Sequence, residues 1–213
     1  MGSHRPYDLL RNALTPFLKC EGFKKSGLIY SRDCGNLSAI VALQKSRWNT
    51  GRGGDFTLNF GVHVPGVGEL YAGKAEAAKP RIEDCALYVR VGMLTPEQVD
   101  RWWEINADMN EAEKERSGRE LVDVCKDFGL PFLRRFETLQ SIAAWLEAPA
   151  GDYARYVFPM AKAQRLAYAA IVLCLCGDSV ASARLLGLYS EAVKGTPLED
   201  VALPFLERLA ARC

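Results

Sequence analysis

An alternation of hydrophobic and polar positions between residues 37 and 64 predicts the central element of the fold. Two β-rich runs, 37–48 and 55–64, are separated by a glycine-rich turn. Every other residue of the second run is apolar, and these residues are Phe56, Leu58, Phe60, Val62 and Val64. Because successive side chains of a strand point to opposite faces, the pattern predicts a hairpin with one buried face and one polar face.

The same pattern extends the hairpin on both sides. Short β-rich runs at 28–32 and 82–92 predict one strand before the hairpin and one after it. Parallel neighbours need long crossovers that are usually helical, so four consecutive strands predict an antiparallel meander. Ahead of the meander, apolar residues at helical spacing predict a helix over 6–21, which Pro16 should kink or end near Leu14.

The pattern changes to helical spacing after residue 94. Thr95, Pro96 and Gln98 are typical of a helix N-terminus and predict a helix through about Arg116. Trp102 and Trp103 would be neighbours on this helix, so only one of them could face the core. Glycines near 118 and 129 divide the following residues into two further helices, and three more are predicted within 162–212.

These elements predict an α+β fold with an N-terminal helix, a four-stranded antiparallel meander and a helical C-terminal half. We expect an α+β domain over 6–147 and a three-helix extension over 151–213 that packs on it. The boundary is the Pro- and Gly-containing segment 148–151. Residues 1–5 resemble the remnant of an expression tag and are left out of this prediction.

Composition and charge favour a globular protein without a strong overall field. The chain has 213 residues, 49% of them hydrophobic and 25% charged, with 27 basic and 26 acidic side chains. Such a balance does not by itself attract nucleic acid or an anionic membrane. Charge is nevertheless uneven, because residues 1–60 carry nine basic and four acidic side chains whereas residues 97–123 carry four and nine. The molecule is a dipole if these segments lie on different sides.

Cysteine usage and hydropathy indicate the compartment. The seven cysteines are scattered and include no Cys-x-x-Cys pair, which is typical of a reduced cytoplasmic chain. The most apolar run, 166–176, is shorter than the roughly 20 residues that span a bilayer. We therefore expect a cytoplasmic protein with no membrane partner, no metal and no cofactor.

Three catalytic chemistries have partial signals in the sequence. A Gly-x-x-x-x-Gly-Lys segment matches most of a phosphate-binding loop, but Ala75 stands where Ser or Thr would ligate magnesium. His63 is the only histidine outside the tag-like start, so a zinc site or a nucleophilic triad lacks partners. Asp55, Glu83 and Asp84 could approach one another across the sheet as the carboxylates of a hydrolase, although acids at strand ends more often form turns.

Several motifs resemble a known family. They are Gly22-Phe23-Lys24-Lys25, Tyr30, Gln44-Lys45-Ser46-Arg47-Trp48, Phe56-Thr57-Leu58-Asn59-Phe60-Gly61-Val62, Arg90-Val91-Gly92 and Trp102-Trp103. In this order, and over roughly residues 6–147, they resemble the bacterial domain of unknown function family 4304. The resemblance implies a bacterial, cytosolic domain. It implies no particular reaction or active site.

The polar face of the hairpin is the candidate functional surface. Aromatic and arginine side chains among hydrogen-bonding groups are typical of protein interfaces. The candidate partner-binding residues are Arg32, Gln44, Lys45, Ser46, Arg47, Trp48, Asn59, His63, Tyr88 and Arg90. A competing interpretation has helices covering both faces of the sheet, with Trp48 and Tyr88 in the core.

Three functions are compatible with these observations. The first is a non-enzymatic bacterial binding protein, most specifically an immunity or antitoxin-like protein that blocks the active surface of a partner toxin. The second is a nucleic-acid or nucleotide-processing factor in which Trp48 stacks a base and the basic residues Lys24, Lys25, Arg32, Lys45, Arg47 and Arg52 contact phosphates. The third is a hydrolase.

Overall fold

The structure is a computed structural model that describes residues 6–49, 53–106 and 108–213. It confirms the α+β class, with an N-terminal helix, an antiparallel sheet and a helical C-terminal half. The strands are β1 (Lys24–Ser26), β2 (Ile29–Asp33), β3 (Ser38–Lys45), β4 (Gly53–His63), β5 (Leu87–Arg90) and β6 (Trp103–Asn106). The helices are α1 (Pro6–Cys20), α2 (Val67–Ala72), α3 (Glu111–Val124), α4 (Leu130–Arg134), α5 (Leu139–Glu147), α6 (Lys162–Leu175), α7 (Ser179–Val193) and α8 (Glu199–Ala210).

The sheet is organised around the predicted hairpin β3–β4. Its strands follow the order β1-β2-β3-β4-β5, and every pair is antiparallel. Strand β4 is long enough to hold two neighbours on one edge, so β6 pairs with Gly53–Phe56 and β5 pairs with Asn59–Val62. The described sheet therefore has six strands where the alternation predicts four.

The helix predicted over 95–116 is wrong. Residues Val91–Leu94 form a 3₁₀ turn, β6 follows, and α3 begins only after Asn110, whose side chain accepts a hydrogen bond from the amide of Glu113. The segment 103–106 alternates buried and open side chains, and Trp103 stacks on Phe56 at 5.8 Å between ring centroids. Pairing with the free edge of β4 thus outweighs the local helix signal.

The helix breaks predicted near residues 118 and 129 are also absent. Helix α1 likewise continues past Pro16 to Cys20. Helix α3 passes through Gly118, where an added Cβ would lie 2.9 Å from the Cβ of Ala13. Gly118 therefore permits α1 and α3 to cross closely. The helix then continues through the π-helical turn Cys125–Gly129 into α4, and Pro131 lies in the first turn of α4 without ending the helix.

One face of the sheet forms the core beneath these helices. Phe56, Leu58, Phe60 and Val62 are completely buried, as the alternation predicts. Tyr30 of β2 lies on the same face and bonds with Thr15 of α1 at 2.8 Å. Helices α1, α3 and α4 therefore cover the apolar face and leave the other face to different elements.

The C-terminal helices share this core rather than standing apart from it. Tyr71 of α2 contacts the rings of Tyr168 and Phe205 at 5.0 and 5.5 Å. Arg208 of α8 donates hydrogen bonds to the main-chain oxygens of Leu70 and Tyr71. Residues from α6, α7 and α8 belong to the same continuous cluster of buried side chains as the sheet.

The cysteines depart from the expectation of a fully reduced chain. Cys174 and Cys213 form a disulfide that joins α6 to the segment after α8, while Cys20, Cys34, Cys85, Cys125 and Cys176 are free. Among the described residues, no helix has the length and apolar character needed to cross a bilayer.

Candidate functional site

The polar face of β4 is lined by Thr57, Asn59, Gly61 and His63, all of them buried. Their burial comes from segments that cross this face. A 3₁₀ helix, Ile82–Asp84, packs over Gly61, where an added Cβ would lie 2.8 Å from both the Ile82 side chain and the Cys85 sulfur. Glycine at position 61 therefore allows this short helix to approach the sheet and form a wall across its polar face.

Between this wall and the edge of β5 lies a groove of about 710 Å³ that is open to solvent. Its floor is formed by strands β2 to β5. Its lining residues are Leu28, Ile29, Ala42, Leu43, Gln44, Asn59, Arg81, Ile82, Glu83, Tyr88, Val89, Arg90, Met93, Tyr156 and Met160. Four candidate residues from the sequence, Gln44, Asn59, Tyr88 and Arg90, are therefore brought together. We call this feature the polar-face groove.

A pair of side-chain amides lies on the floor of the polar-face groove. Asn59 is 2% exposed, and its Nδ2 donates to Oε1 of Gln44 at 2.9 Å. The other two polar atoms of these amides, Oδ1 of Asn59 and Nε2 of Gln44, have no protein partner among the described residues. The floor thus presents one acceptor and one donor.

The edge of the groove is fixed by β5 and by residues that follow the predicted domain boundary. Tyr88 forms a bridge with Phe158, and their rings stack at 4.7 Å between centroids. Arg90 pairs with Asp100 at 2.5 Å and lies 5.1 Å from the ring of Trp102. Both candidate side chains are therefore held in place while they line the groove.

The end of β3 carries a second group of candidate residues, Lys45, Ser46, Arg47 and Trp48, which we call the strand-end anchor. Trp48 is 77% exposed, and the Arg47 guanidinium lies 4.9 Å from its ring centroid. Ser46 accepts a hydrogen bond from the amide of Trp48 at 3.2 Å. Trp48 is thus outside the core, in contrast to the interpretation that helices cover it.

The strand-end anchor has a fixed backbone. The Asn49 side chain both donates to the main-chain oxygen of Asp55 and accepts from its amide, each at 2.7 Å, and Ser46 donates from its amide to the same oxygen at 2.8 Å. Beside Trp48 lies a shallow pocket of about 340 Å³ whose lining includes three carboxylates, Asp55, Glu104 and Asp108. The exposed indole is therefore flanked by a cation on one side and by carboxylates on the other.

The two remaining candidate residues lie elsewhere. His63 is 6% exposed and its Nε2 lies 3.2 Å from Oε2 of Glu76, within the loop that follows β4. Arg32 points to the opposite side of the sheet, where it donates to the main-chain oxygen of Glu21 and lies 5.0 Å from the ring of Phe23. Neither residue reaches the polar-face groove or the strand-end anchor.

The basic residues proposed for nucleic-acid contacts are also separated. Lys24 of β1 is aligned with Ser31 of β2, and Ser31 is aligned with Ile40 of β3. Lys24 is therefore two strands away from β3, and Lys45 lies five residues further along β3 than Ile40. Five residues of strand correspond to roughly 17 Å. Arg32 lies on the face of the sheet opposite to Lys24, and Arg52 lies outside the described residues. The described cations therefore do not form one continuous track.

The carboxylates of the hydrolase interpretation are not neighbours. Asp55 pairs with Glu104 near the start of β4, whereas the wall that carries Glu83 and Asp84 packs at Gly61, roughly 20 Å along the strand. Burial would raise the pKa of Asp84, but hydrogen bonds from Lys74 and from the amide of Arg81 outweigh it and hold that pKa below its ordinary value. Lys74, from the phosphate-loop-like segment, is thus engaged with Asp84 at 2.6 Å.

Two of the five free cysteines of the described residues are buried, Cys85 and Cys125. Burial raises the pKa of Cys125 to about 12 and raises that of Cys85 well above its ordinary value. Both are therefore neutral thiols at physiological pH. Across residues 6–49, 53–106 and 108–213, no group of three or more histidine, cysteine or acidic side chains is placed to hold a metal ion.

Several groove residues are not predicted from the sequence. The sequence pattern predicts a strand over 82–92, whereas Ile82 and Glu83 form the 3₁₀ wall. Tyr156 and Met160 belong to the segment after the predicted boundary, which returns to the edge of β5. The aromatic density of residues 153–158 is the one signal in the sequence that this segment packs against a surface.

No curated protein and no solved structure matches the chain. A family model matches residues 14–135, which include the sheet, the strand-end anchor and most of the groove lining. Since this match covers more than half of the chain, the protein belongs to the family described as Domain of unknown function (DUF4304).

Proposed function

We propose that this chain is a non-enzymatic binding protein that attaches to a partner protein through the strand-end anchor. In its more specific form, the proposal is an immunity or antitoxin-like protein of the bacterial cytoplasm that covers the active surface of a toxin. The observation that carries the proposal is the exposed indole of Trp48 beside the Arg47 guanidinium. Tryptophan and arginine are the residue types most enriched among the side chains that dominate protein-binding energies.

The order of the strand-end anchor supports this role. Binding costs less free energy when the contacting residues already have their bound conformation. The bonds from Asn49 and Ser46 to Asp55 fix the backbone on both sides of Trp48. An exposed tryptophan held in this way can enter a pocket of a partner with little loss of conformational freedom.

The inhibitory form of the proposal needs no reaction centre. An inhibitor acts by occupying a surface, and complementary charge gives it a fast and specific association. The cation of Arg47 and the carboxylates Asp55, Glu104 and Asp108 surround Trp48 with both signs of charge. Such a mixed patch suits a folded protein surface better than a uniformly anionic polymer.

The test compares two charge reversals as baits in extract of the source cells. Arg47→Glu changes the anchor, and Arg116→Glu changes an exposed arginine on α3 by the same charge. Quantitative mass spectrometry should find one protein enriched by the wild type and by Arg116→Glu, and at least about tenfold depleted with Arg47→Glu. The purified partner should lose its own activity when the wild-type chain is added.

Two results would contradict the proposal. One is equal enrichment of the partner by Arg47→Glu and by the wild type while both melt alike. The other is a captured species that disappears after nuclease treatment, since that result would mean that the chain binds nucleic acid.

A further inference from the structure

We propose that the polar-face groove binds an extended acidic segment of the partner protein, with a main-chain amide of that segment paired to Gln44 and Asn59. This inference deepens the proposed function by naming the kind of segment that the partner contributes. It rests on that function only for the source of the segment. The groove lining and the strand-end anchor have no residue in common, so each can fail without the other.

The size of the groove suits a short extended segment. Its floor crosses from Ile29 of β2 to Tyr88 and Arg90 of β5. Three steps between neighbouring strands amount to roughly 14 Å, the length of about four extended residues. The volume of about 710 Å³ lies within the range found for ligand-binding pockets, which runs from about 300 to 1,000 Å³.

The amide pair on the floor matches the main chain of such a segment. The free oxygen of Asn59 can accept from a peptide N–H, and the free Nε2 of Gln44 can donate to a peptide C=O. Asn59 as a residue is almost fully buried, but its Oδ1 is not among the buried atoms that lack a partner, so this oxygen is open to the groove. Binding a peptide unit here would satisfy both atoms at once.

The apolar part of the lining can adapt to different side chains. Met93 and Met160 lie on the groove together with Ile82 and Tyr156, and Met160 is 63% exposed. Unbranched methionine side chains adjust to irregular shapes and are frequent on surfaces that bind varied peptides. The segment is therefore expected to alternate apolar residues with residues that face the rim.

Charge identifies the sign of those rim-facing residues. Basic side chains that line the groove or contact its lining are Arg81, Arg90, Arg155 and Arg165, whereas the carboxylates there are Glu83, Asp84 and Asp100. Glu83 is paired with Arg81, Asp100 with Arg90 and Asp84 with Lys74. Arg155 and Arg165 have no carboxylate partner among the described residues. The rim thus favours Asp or Glu in the segment.

The experiment follows the side-chain amide signals of Gln44 and Asn59 and the methyl signals of Met93 and Met160 by NMR. Two peptides are added to the full chain in turn. They are acetyl-Leu-Glu-Leu-Glu-Leu-amide and the same peptide with Lys in place of Glu. The acidic peptide should shift all four sets of signals and bind at least about tenfold more tightly than the basic one. Trp48→Ala should leave this binding unchanged.

Two variants separate the steps of the argument. Gln44→Met keeps the length of the side chain and removes its amide, and Arg155→Glu reverses an exposed rim charge. Each should weaken the acidic peptide by about tenfold, whereas Arg116→Glu should have no effect. The Arg155→Glu result also stands if Gln44→Met proves unstable.

Three outcomes would overturn the inference. They are no shifts with up to about 5 mM acidic peptide, equal binding of the basic peptide, and displacement of the acidic peptide by a single-stranded oligonucleotide that produces the same shifts. If the peptide fails while Arg47→Glu still abolishes capture of the partner, the groove inference is wrong and the proposed function stands.

Discussion

At the scale of residues, the two glycines Gly61 and Gly129 decide how closely other elements approach the sheet. Gly61 allows the wall of the polar-face groove to pack on β4, and Gly129 allows the π-helical turn to pack on Phe60 from the other side. Gly129 has an ordinary helical φ of −68°, so the close approach rather than the backbone angle requires glycine there. The alternation along β4 predicts that Phe60 is buried. It carries no information about which residue covers its ring.

Gly129→Ala should therefore destabilise the protein even though alanine is the better helix former. An added Cβ would lie 2.1 Å from Cζ of Phe60. Such overpacking costs about 1–3 kcal/mol against a gain of roughly 1 kcal/mol in helix propensity, so the expected net loss is up to about 2 kcal/mol. Chemical unfolding of the two proteins measures the difference.

Gly187→Ala is the matched control, because this glycine lies inside α7 with open space around its Cα. It should stabilise the chain by about 0.5–1 kcal/mol. Wild-type stability of Gly129→Ala would show that the ring of Phe60 moves freely, which contradicts its tight packing.

At the scale of elements, local patterns predict strands well where the alternation is long and poorly where it is short. The eleven residues of β4 leave no doubt about period or buried face. The four residues of β6 follow a clear helix-start signal at Thr95, and only the free edge of β4 makes them a strand. The wall Ile82–Asp84 is likewise set by tertiary contact with Gly61, so the groove could not be predicted from local pattern.

The ion pair that holds the wall gives a prediction about pH. Asp84 has a pKa below its ordinary value near 3.8, so its ionised form stabilises the fold at neutral pH. This stabilisation is complete above the ordinary value and is lost as the pH falls through the lowered pKa of the folded state. Asp84→Asn should therefore cost about 1 kcal/mol at pH 7.

Thermal melting of wild type and Asp84→Asn at several pH values measures this effect. The gap between the two melting temperatures should shrink steadily below about pH 4. A gap that stays constant down to about pH 2 would contradict a stabilising role for the ionised carboxylate.

At the scale of the whole molecule, acidic and basic side chains are concentrated over opposite faces of the sheet. Helix α3 carries five of the acidic side chains of segment 97–123 and packs on α1, over the apolar face of the sheet. The rim of the polar-face groove, on the opposite face, has an excess of basic side chains. An acidic partner segment is therefore attracted to one side of the molecule and repelled by the other.

The candidate surface shows which part of a site a sequence can reveal. Gln44, Asn59, Tyr88 and Arg90 share the polar face, and period-2 alternation is enough to predict that they do. Arg32 lies on the other face. The alternation also places His63 on the polar face, but it does not show that Glu76 encloses the imidazole. Long-range contacts of this kind leave no local periodicity behind.

The central claim is that Trp48 binds a partner and does not support the fold, and the affinity of Trp48→Ala for the captured partner tests it most directly. Calorimetric titration should show at least about a thirtyfold loss of affinity relative to wild type, which corresponds to a binding hot spot of about 2 kcal/mol. The melting temperature should stay nearly unchanged, because the side chain is 77% exposed. Unchanged affinity, or a variant that unfolds, would contradict the account.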